Sequence, residues 1–544
     1  MSNEKLALLG DEAAALGAIH SGISAAYGYP GTPSTEILQY LIDEYDKGGS
    51  LAQWCSNEKT ALEAALGVSF AGRRALVTMK HVGLNVASDP FINAALLKIK
   101  GGLVIAAADD PGMHSSQNEQ DSRFYADFAM VPCLEPRSQQ ETYDMIREAF
   151  DVSECFNVPV LLRLVTRLSH ARSTVIIRNK RAQNKVSKTE DKANWMLLPV
   201  FARKNYAMLV DKQKILEEWS FQHPVNKLTG VKSDFAVITS GIGGNYYEEN
   251  LADLIAMRKK KGKKAPVRLH IGAYPLPEKK IRKLCESANE VLVIEEGQSF
   301  IAKKLYGIAG GSINPIIQCG ELDPDIVRAA LGLPPHHRLS VKGTTFTDNL
   351  PPRPPQLCKG CPHADSYETI NKAVAALDPR DGHPDVAVTS DIGCYSLGAL
   401  PPFSAIESVI CMGASVGMAK GASDAGLKHS IAVIGDSTFI HSGITALIDA
   451  VVSDTPMTLV ILDNSTVAMT GCQPTIVPSE KLVNLILGCG LKPERLLQLE
   501  AKNHLINENA AKLKAEIEHR GLSVVIFKRE CLEALRKHKK HHSA

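Results

Sequence analysis

Long apolar runs are missing from this chain of 544 residues. None approaches the roughly 18 to 20 consecutive apolar residues that a membrane-crossing helix needs, so no membrane span is expected. The opening residues, MSNEKLALLGDEAAALG, lack a basic start followed by an apolar core. No export signal is therefore expected, and the expected location is cytoplasmic. An excess of one charge is missing as well. The 61 Lys and Arg stand against 59 Asp and Glu, a formal net charge of +2, which gives no field for drawing in nucleic acid or an acidic membrane. Cysteine itself is not scarce, at 12 residues, but metal-binding spacing is. Only Cys358 and Cys361 form a Cys-x-x-Cys pair, and no second pair or His-x-x-x-His follows at zinc spacing. The compact four-cysteine run that holds iron–sulfur clusters in bacterial proteins is also absent.

What is present is a globular composition, 44% hydrophobic and 22% charged, with a length suggesting roughly three or four domains. The most informative stretch is 430–471. An apolar run at 431–434 stops at Gly435-Asp436-Ser437, a helical pattern follows at Ile444, Leu447, Ile448 and Val451, and a second apolar run at 459–462 stops at Asp463-Asn464. Short apolar runs around an amphipathic helix read as a strand–helix–strand unit of a buried parallel sheet. Ligands of such sheets sit beyond the carboxyl ends of the strands. Asp436 and Asn464 fall there, one at each strand end, so their oxygens can meet at a hard cation such as Mg²⁺ that shares its shell with phosphates. Gly435 allows close backbone approach, and Ser437 and Thr438 offer hydroxyls and N–H groups to a phosphate. A lone Gly-Asp-Ser would favour an ordinary turn before a capped helix; the phased second strand favours a cation and a diphosphate.

The remaining organisation is read from composition shifts. Residues 1–178 read as α/β, 179–232 as a linker, 233–332 as a smaller α/β segment with strands near 235–239, 267–271 and 291–295, and 333–357 as a stiff Pro-rich connector. Residues 358–530 form the last α/β domain, and 531–544 a basic tail expected to be disordered. In the first domain, Tyr29-Pro30-Gly31-Thr32-Pro33-Ser34 is a turn leading into a capped helix. Glu58 opens another helix, where the dipole favours a surface carboxylate. The polar loop 108–121 lies at a strand end, where binding residues collect.

Seven segments together resemble one family, the alpha subunit of indolepyruvate:ferredoxin oxidoreductase among the thiamine diphosphate-dependent 2-oxoacid:acceptor oxidoreductases. They are YPGTPSTEI at 29–37, NEKT at 57–60, TMKHVGLN at 78–85, ADDPGMHSSQNEQD at 108–121, CKGCPH at 358–363, DIGC at 391–394 and GDSTF at 435–439. The resemblance implies an α/β fold with two thiamine diphosphate-binding, doubly wound parallel-sheet domains plus a smaller transketolase-C-terminal-like α/β domain. It implies Mg²⁺ held by Asp436, Asn464 and the carbonyl of Thr466, and a cofactor contacted by His363, Gly393, Cys394, Gly413, Gly435, Asp436, Ser437, Thr438 and Asn464. Glu58 takes the position of the catalytic glutamate that bonds N1′ of the cofactor's aminopyrimidine, a role that requires it to be largely desolvated. Thr32, Lys80 and His81 are the implied substrate contacts.

The implied reaction is oxidative decarboxylation of a 2-oxoacid, indolepyruvate or another arylpyruvate, with coenzyme A as cosubstrate, giving acyl-CoA and CO₂ and passing electrons to ferredoxin. In that family the alpha subunit continues into a ferredoxin-like domain with two cysteine quartets, whereas here Cys531 is followed only by the short basic tail. No iron–sulfur cluster is therefore expected on this chain. Electrons are expected to leave through a separate iron–sulfur or ferredoxin-type protein, beside a small gamma-type second subunit, in a homodimer or α2β2 oligomer. Two other readings stay open: a cluster-free, non-oxidative 2-oxoacid decarboxylase or carboligase, and a non-catalytic thiamine-domain scaffold.

Overall fold

Seven strands from the first half of the chain line up in one sheet, in the order Ala273–Tyr274, Cys133–Leu134, Val160–Val165, Leu103–Asp109, Ala75–Lys80, Ala25–Gly28, Leu51–Trp54. Neighbours are parallel except at the edge strand Ala273–Tyr274. The three long central strands are buried along their whole length and are mostly Ala, Val, Leu and Met, as a sheet covered on both faces requires. Lys80 and Asp109 come last in their strands, at the carboxyl ends, while Arg163 lies in mid-strand.

The computed structural model describes the chain apart from residues 1–3, 46, 48–49, 188–191, 196, 198, 231, 306–311, 316–320, 337–355, 380–382, 384, 410–411, 425–426 and 542–544. It divides into two units, Met1–Ser340 and Val341–Ala544. The first unit holds a second sheet, ordered Ser312–Pro315, Glu290–Ile294, Phe235–Ser240, Val267–Ile271, Leu228–Thr229, parallel except at Leu228–Thr229. The other unit has one six-stranded parallel sheet: Ser408–Val409, Val386–Ser390, His429–Gly435, Thr458–Asp463, Ser523–Lys528, Leu496–Glu500.

Numbered by chain order, the six parallel strands of the seven-stranded sheet run 2-1-3-4-6-5, and so do the six strands of the other unit. Each order reverses between strands 1 and 3, and ligands of doubly wound sheets bind at such a switch point. In one unit it lies between the ends of Ala25–Gly28 and Ala75–Lys80, in the other between the ends of Val386–Ser390 and His429–Gly435.

A buried ionic network joins the two sheets of the first unit. Arg163, on strand Val160–Val165, donates from Nε to Asp109 at 2.6 Å and from Nη2 to the Glu296 carbonyl at 2.9 Å. Arg123 pairs with Asp121 and lies 3.0 Å from Glu295, and its Nη1 donates to the Ser240 hydroxyl at 3.2 Å. Both guanidiniums are 1% exposed. Buried charges of this kind persist only when paired and hydrogen-bonded.

Two boundaries differ from expectation. The span 179–232 is not merely a linker, because it carries the helix Pro199–Gln222. That helix buries only Asn205, Leu209, Leu216 and Ser220, too thin an apolar stripe to stand out in a Lys- and Glu-rich segment. The basic tail begins with the helix Leu532–His541, anchored by the buried Cys531 and Ala534. Most of the Pro-rich connector lies outside the described residues.

Candidate active site

In the first unit, the switch point gathers four short segments. The helix Glu58–Phe70 is capped by Asn57, whose Oδ1 accepts from the Thr60 N–H at 2.9 Å. The cap fixes Glu58 in the first turn, yet Glu58 is 4% exposed rather than a surface carboxylate. It lies against Gly83, where a β-carbon would meet Glu58 Oε1 at 2.5 Å. Strand Ala75–Lys80 ends in Lys80, whose ammonium donates to the Ser115 carbonyl at 3.0 Å. Burial pushes Lys80 down to about 8, against the opposing pull of the Asp110 and Glu58 carboxylates. The Ser115 hydroxyl donates to the Thr32 carbonyl at 3.0 Å, and Gly31 leaves the Lys80 stem room that a β-carbon would narrow to 3.0 Å. His81 starts the helix His81–Val86; its Nε2 is 3.1 Å from the Asn118 carbonyl, while its buried Nδ1 has no hydrogen-bond partner.

Thr32, Glu58, Lys80 and His81 therefore share one crevice. Asp110 anchors it, a role the sequence reading did not assign. Its carboxylate accepts the Ser115 N–H at 2.8 Å, the Ser116 hydroxyl at 2.7 Å and the Thr166 hydroxyl at 2.8 Å, bonds that hold it ionised below the usual carboxylate range despite the opposing cost of burial. The signal available was two consecutive acids closing a buried strand.

In the second unit, Asp436 follows strand His429–Gly435. Its two oxygens accept backbone N–H groups, Ser437 at 2.8 Å and Ser465 at 2.9 Å. Burial, reinforced by the neighbouring Asp463 carboxylate, pushes the Asp436 carboxyl well up. Asn464 Oδ1 accepts the Thr466 N–H at 3.2 Å, and its Nδ2 lies 3.2 Å from His363 Nε2. Burial and the Arg529 charge push His363 down to about 4, leaving the ring neutral. The Thr438 hydroxyl donates to the Ile392 carbonyl at 3.1 Å.

Glycines shape the rest of this crevice. A β-carbon on Gly393 or Gly435 would meet the Tyr395 ring at 2.3 or 2.6 Å, and Gly413, at φ +85°, abuts Ser442. Tyr395 in turn donates to Asp391. The donor set is all oxygen: the Asp436 carboxylate, the Asn464 amide and the backbone at Thr466. Close by, Asp463 Oδ2 is buried without a hydrogen-bond partner. Two adjacent buried acids and hard neutral donors fit Mg²⁺ chemistry.

The cysteines hold a grouping that sequence spacing hides. Burial pushes the Cys394 thiol up to about 12, and the thiols of Cys361, Cys531, Cys358 and Cys472 add to the shift, in that order. Arg529 Nη2 donates to the Gly360 carbonyl at 2.7 Å, and the Cys531 N–H to the Asn464 carbonyl at 3.1 Å. The Cys-x-x-Cys turn and Cys531 are thereby drawn toward the Asp436–Asn464 crevice.

Comparison with known proteins gives these crevices a family. Residues 16–234 match the family model described as pyruvate flavodoxin/ferredoxin oxidoreductase, thiamine diP-binding, and residues 391–527 match the thiamine pyrophosphate enzyme C-terminal TPP-binding domain. Indolepyruvate oxidoreductase subunit IorA of Archaeoglobus fulgidus is 37% identical over 97% of this chain and 86% of its own. The Methanothermobacter thermautotrophicus IorA is 36% identical over 97% of this chain and 87% of its own. A solved 2-oxoglutarate:ferredoxin oxidoreductase from Magnetococcus marinus superposes with a TM-score of 0.51 at 16% identity, covering 61% of this chain and 65% of that one, a likeness of fold. No described helix is long and apolar enough to cross a membrane. The chain belongs to the indolepyruvate oxidoreductase IorA subunit family, and is a thiamine diphosphate-dependent 2-oxoacid oxidoreductase subunit.

Proposed function

We propose that this chain is the catalytic subunit for oxidative decarboxylation of indolepyruvate or another arylpyruvate, with coenzyme A as cosubstrate and acyl-CoA and CO₂ as products. The observation that carries the reading is the paired topology: the same switch-point crevice occurs twice, with the buried Glu58 in one and the Asp436–Asn464 pair in the other. When bound, thiamine diphosphate supplies a carbanion nucleophile for the 2-oxoacid ketone and takes up the electrons left when CO₂ departs. Asp436, Asn464 and the Thr466 carbonyl hold Mg²⁺ on its diphosphate, with His363, Gly393, Cys394, Gly413, Gly435, Ser437 and Thr438 around it. Glu58 holds the hydrogen bond to N1′ of the aminopyrimidine. The Lys80 ammonium pairs with the substrate carboxylate, while Thr32 and His81 orient the rest. The proposed assembly is a homodimer or α2β2 oligomer with a small gamma-type subunit.

Against the expectation of no iron–sulfur cluster on this chain, we propose that the thiol group holds one. Iron–sulfur clusters take four cysteine thiolates, and Cys358, Cys361, Cys394 and Cys531 are gathered beside the diphosphate crevice. Such a cluster would take electrons from the cofactor one at a time and hand them to a ferredoxin-type partner in the cytoplasm. This favours the oxidative reading over a cluster-free decarboxylase. The decisive assay is anaerobic dye reduction by indolepyruvate plus coenzyme A, using the chain with its small gamma-type subunit. We expect activity that disappears in Glu58→Ala. Iron, acid-labile sulfide and a paramagnetic signal on reduction should be present and be lost in Cys361→Ser. Aldehyde formation without any acceptor, from an iron-free protein, would overturn the oxidative reading.

A further inference from the structure

Apart from both crevices and the thiols, three ligating side chains converge within the first unit. Among the described residues, one ligand atom each of Asp11, Glu36 and His170 lie within 4.8 Å of one another. They come from three helices: Asp11 from the first turn of Gly10–Ile19, Glu36 from the second residue of Thr35–Tyr45, and His170 from the last residue of Thr166–His170. The first and third helices are locked together, since a β-carbon on Gly10 would fall 2.2 Å from the Leu168 carbonyl oxygen.

Asp11 is the unusual member. It has no exposed surface, and neither of its carboxylate oxygens has a hydrogen-bond partner. Glu36 Oε2, facing the same point, is buried and makes no hydrogen bond of normal length, its partner being the His170 ring; the buried Ser169 hydroxyl beside Asp11 makes none of normal geometry either. Leaving the Asp11 carboxyl buried among these groups without a good hydrogen bond is costly. The cost disappears if something positively charged sits among them. His170 Nε2 lies 3.6 Å from Glu36 Oε2, close to the separation of about 3.4 Å between tetrahedral ligands held about 2.0–2.2 Å from zinc. His170 is also exposed on one side, which leaves an entry path from solvent.

We propose that Asp11, Glu36 and His170 form a binding site for one divalent transition-metal ion of the zinc or cobalt kind, separate from the Mg²⁺ position at Asp436. Two carboxylates and one imidazole give a mixed oxygen–nitrogen set that such ions accept, with a fourth position open to water or the Ser169 hydroxyl. Glu36 follows Thr32 by four residues, so a bound ion would tether the start of the helix that carries the Thr32 turn. The site does not depend on the functional reading above.

Cobalt(II) provides the test, because its visible spectrum reports the ligand type and separates this site from the cysteines. The full-length protein, loaded with thiamine diphosphate and Mg²⁺, is titrated with Co²⁺ under anaerobic conditions. We expect one equivalent to bind with a visible band lacking thiolate-to-cobalt charge transfer. Affinity should fall at least about tenfold in Asp11→Asn and in His170→Ala, and remain unchanged in Asp436→Ala and Cys361→Ser. Glu36→Gln, a change at a half-exposed position, should weaken binding likewise while the circular dichroism stays that of the parent. The proposal fails if the parent protein shows no thiolate-free cobalt spectrum, or if any of the three site variants keeps the parent affinity.

Discussion

Gly83 leaves the space that the Glu58 carboxylate fills: a β-carbon at residue 83 would meet Glu58 Oε1 at 2.5 Å. The obstructed atom is the far end of a side chain, so Gly83→Ala should fold and instead push the carboxylate aside. A displacement of about 1 Å at a reacting group costs on the order of 100-fold in rate. We expect kcat to fall by about that factor in Gly83→Ala while the affinity for thiamine diphosphate, set by the other crevice, changes little. Equal losses in both would mean that Glu58 and Gly83 are not where the chemistry is guided. Steady-state kinetics together with cofactor titration checks this.

Lys80 predicts a pH dependence. Its folded value is lowered to about 8, first by burial, so the ammonium is present below pH 8 and is lost as pH rises through that value. If it pairs with the substrate carboxylate, KM for the 2-oxoacid should be flat between pH 6 and about 7.5 and rise about tenfold for each unit above 8. Lys80→Arg, always charged, should remove that rise, whatever its basal KM. A rise that survives in Lys80→Arg rules out Lys80 as its source.

Asp436→Ala removes the carboxylate of the proposed metal set. Thiamine diphosphate binding, followed by titration calorimetry, should weaken at least about tenfold, and added Mg²⁺ should no longer strengthen it. Unchanged Mg²⁺ dependence would place the metal elsewhere.

The ionic network makes a claim about stability. Arg163→Met strips the guanidinium from Asp109 and from Glu135, whose carboxylate pairs with its Nη1, and breaking a buried pair by removing one partner costs about 3–5 kcal/mol. Denaturant unfolding of the thiamine-free protein should show that loss. Glu296, beside the network, tests the sign of linkage. Burial raises its folded pKa from 4.5 to about 7, against the bond from the Leu322 N–H. A raised carboxyl contributes its full stability below about 4.5 and loses it as pH climbs through 7, about 3 kcal/mol at most. Glu296→Gln should flatten the melting-temperature profile between pH 5 and 8, most visibly by stabilising the alkaline side.

Much of the fold was legible because its central strands are short apolar runs closed by polar residues. The strands expected near 235–239, 267–271 and 291–295 stand at Phe235–Ser240, Val267–Ile271 and Glu290–Ile294. Helix Pro199–Gln222 was not legible, since few of its positions are buried and its charges read as solvated coil. Local sequence favoured a surface role for Glu58; its burial comes from Gly83 and the loop around it, which no local pattern encodes. Cys531 illustrates the limit from the other side. Its closeness to Cys361 and Cys394 depends on the last strand of the sheet returning beside the Asn464 strand, so spacing arithmetic could not find it.

The repeated 2-1-3-4-6-5 order puts equivalent strand-end positions in both sheets, and different residues stand at them. After strand 3, one sheet has Gly435-Asp436 where the other has Lys80-His81; after strand 4, one has Asn464 and the other Asp110. The seven-stranded sheet thus carries its positive charge covalently, as the Lys80 ammonium drawn toward Asp110, at the place where the other is equipped to borrow one from solution. At one equivalent position of the two sheets, then, one crevice offers a fixed ammonium and the other a set of oxygen donors suited to a cation.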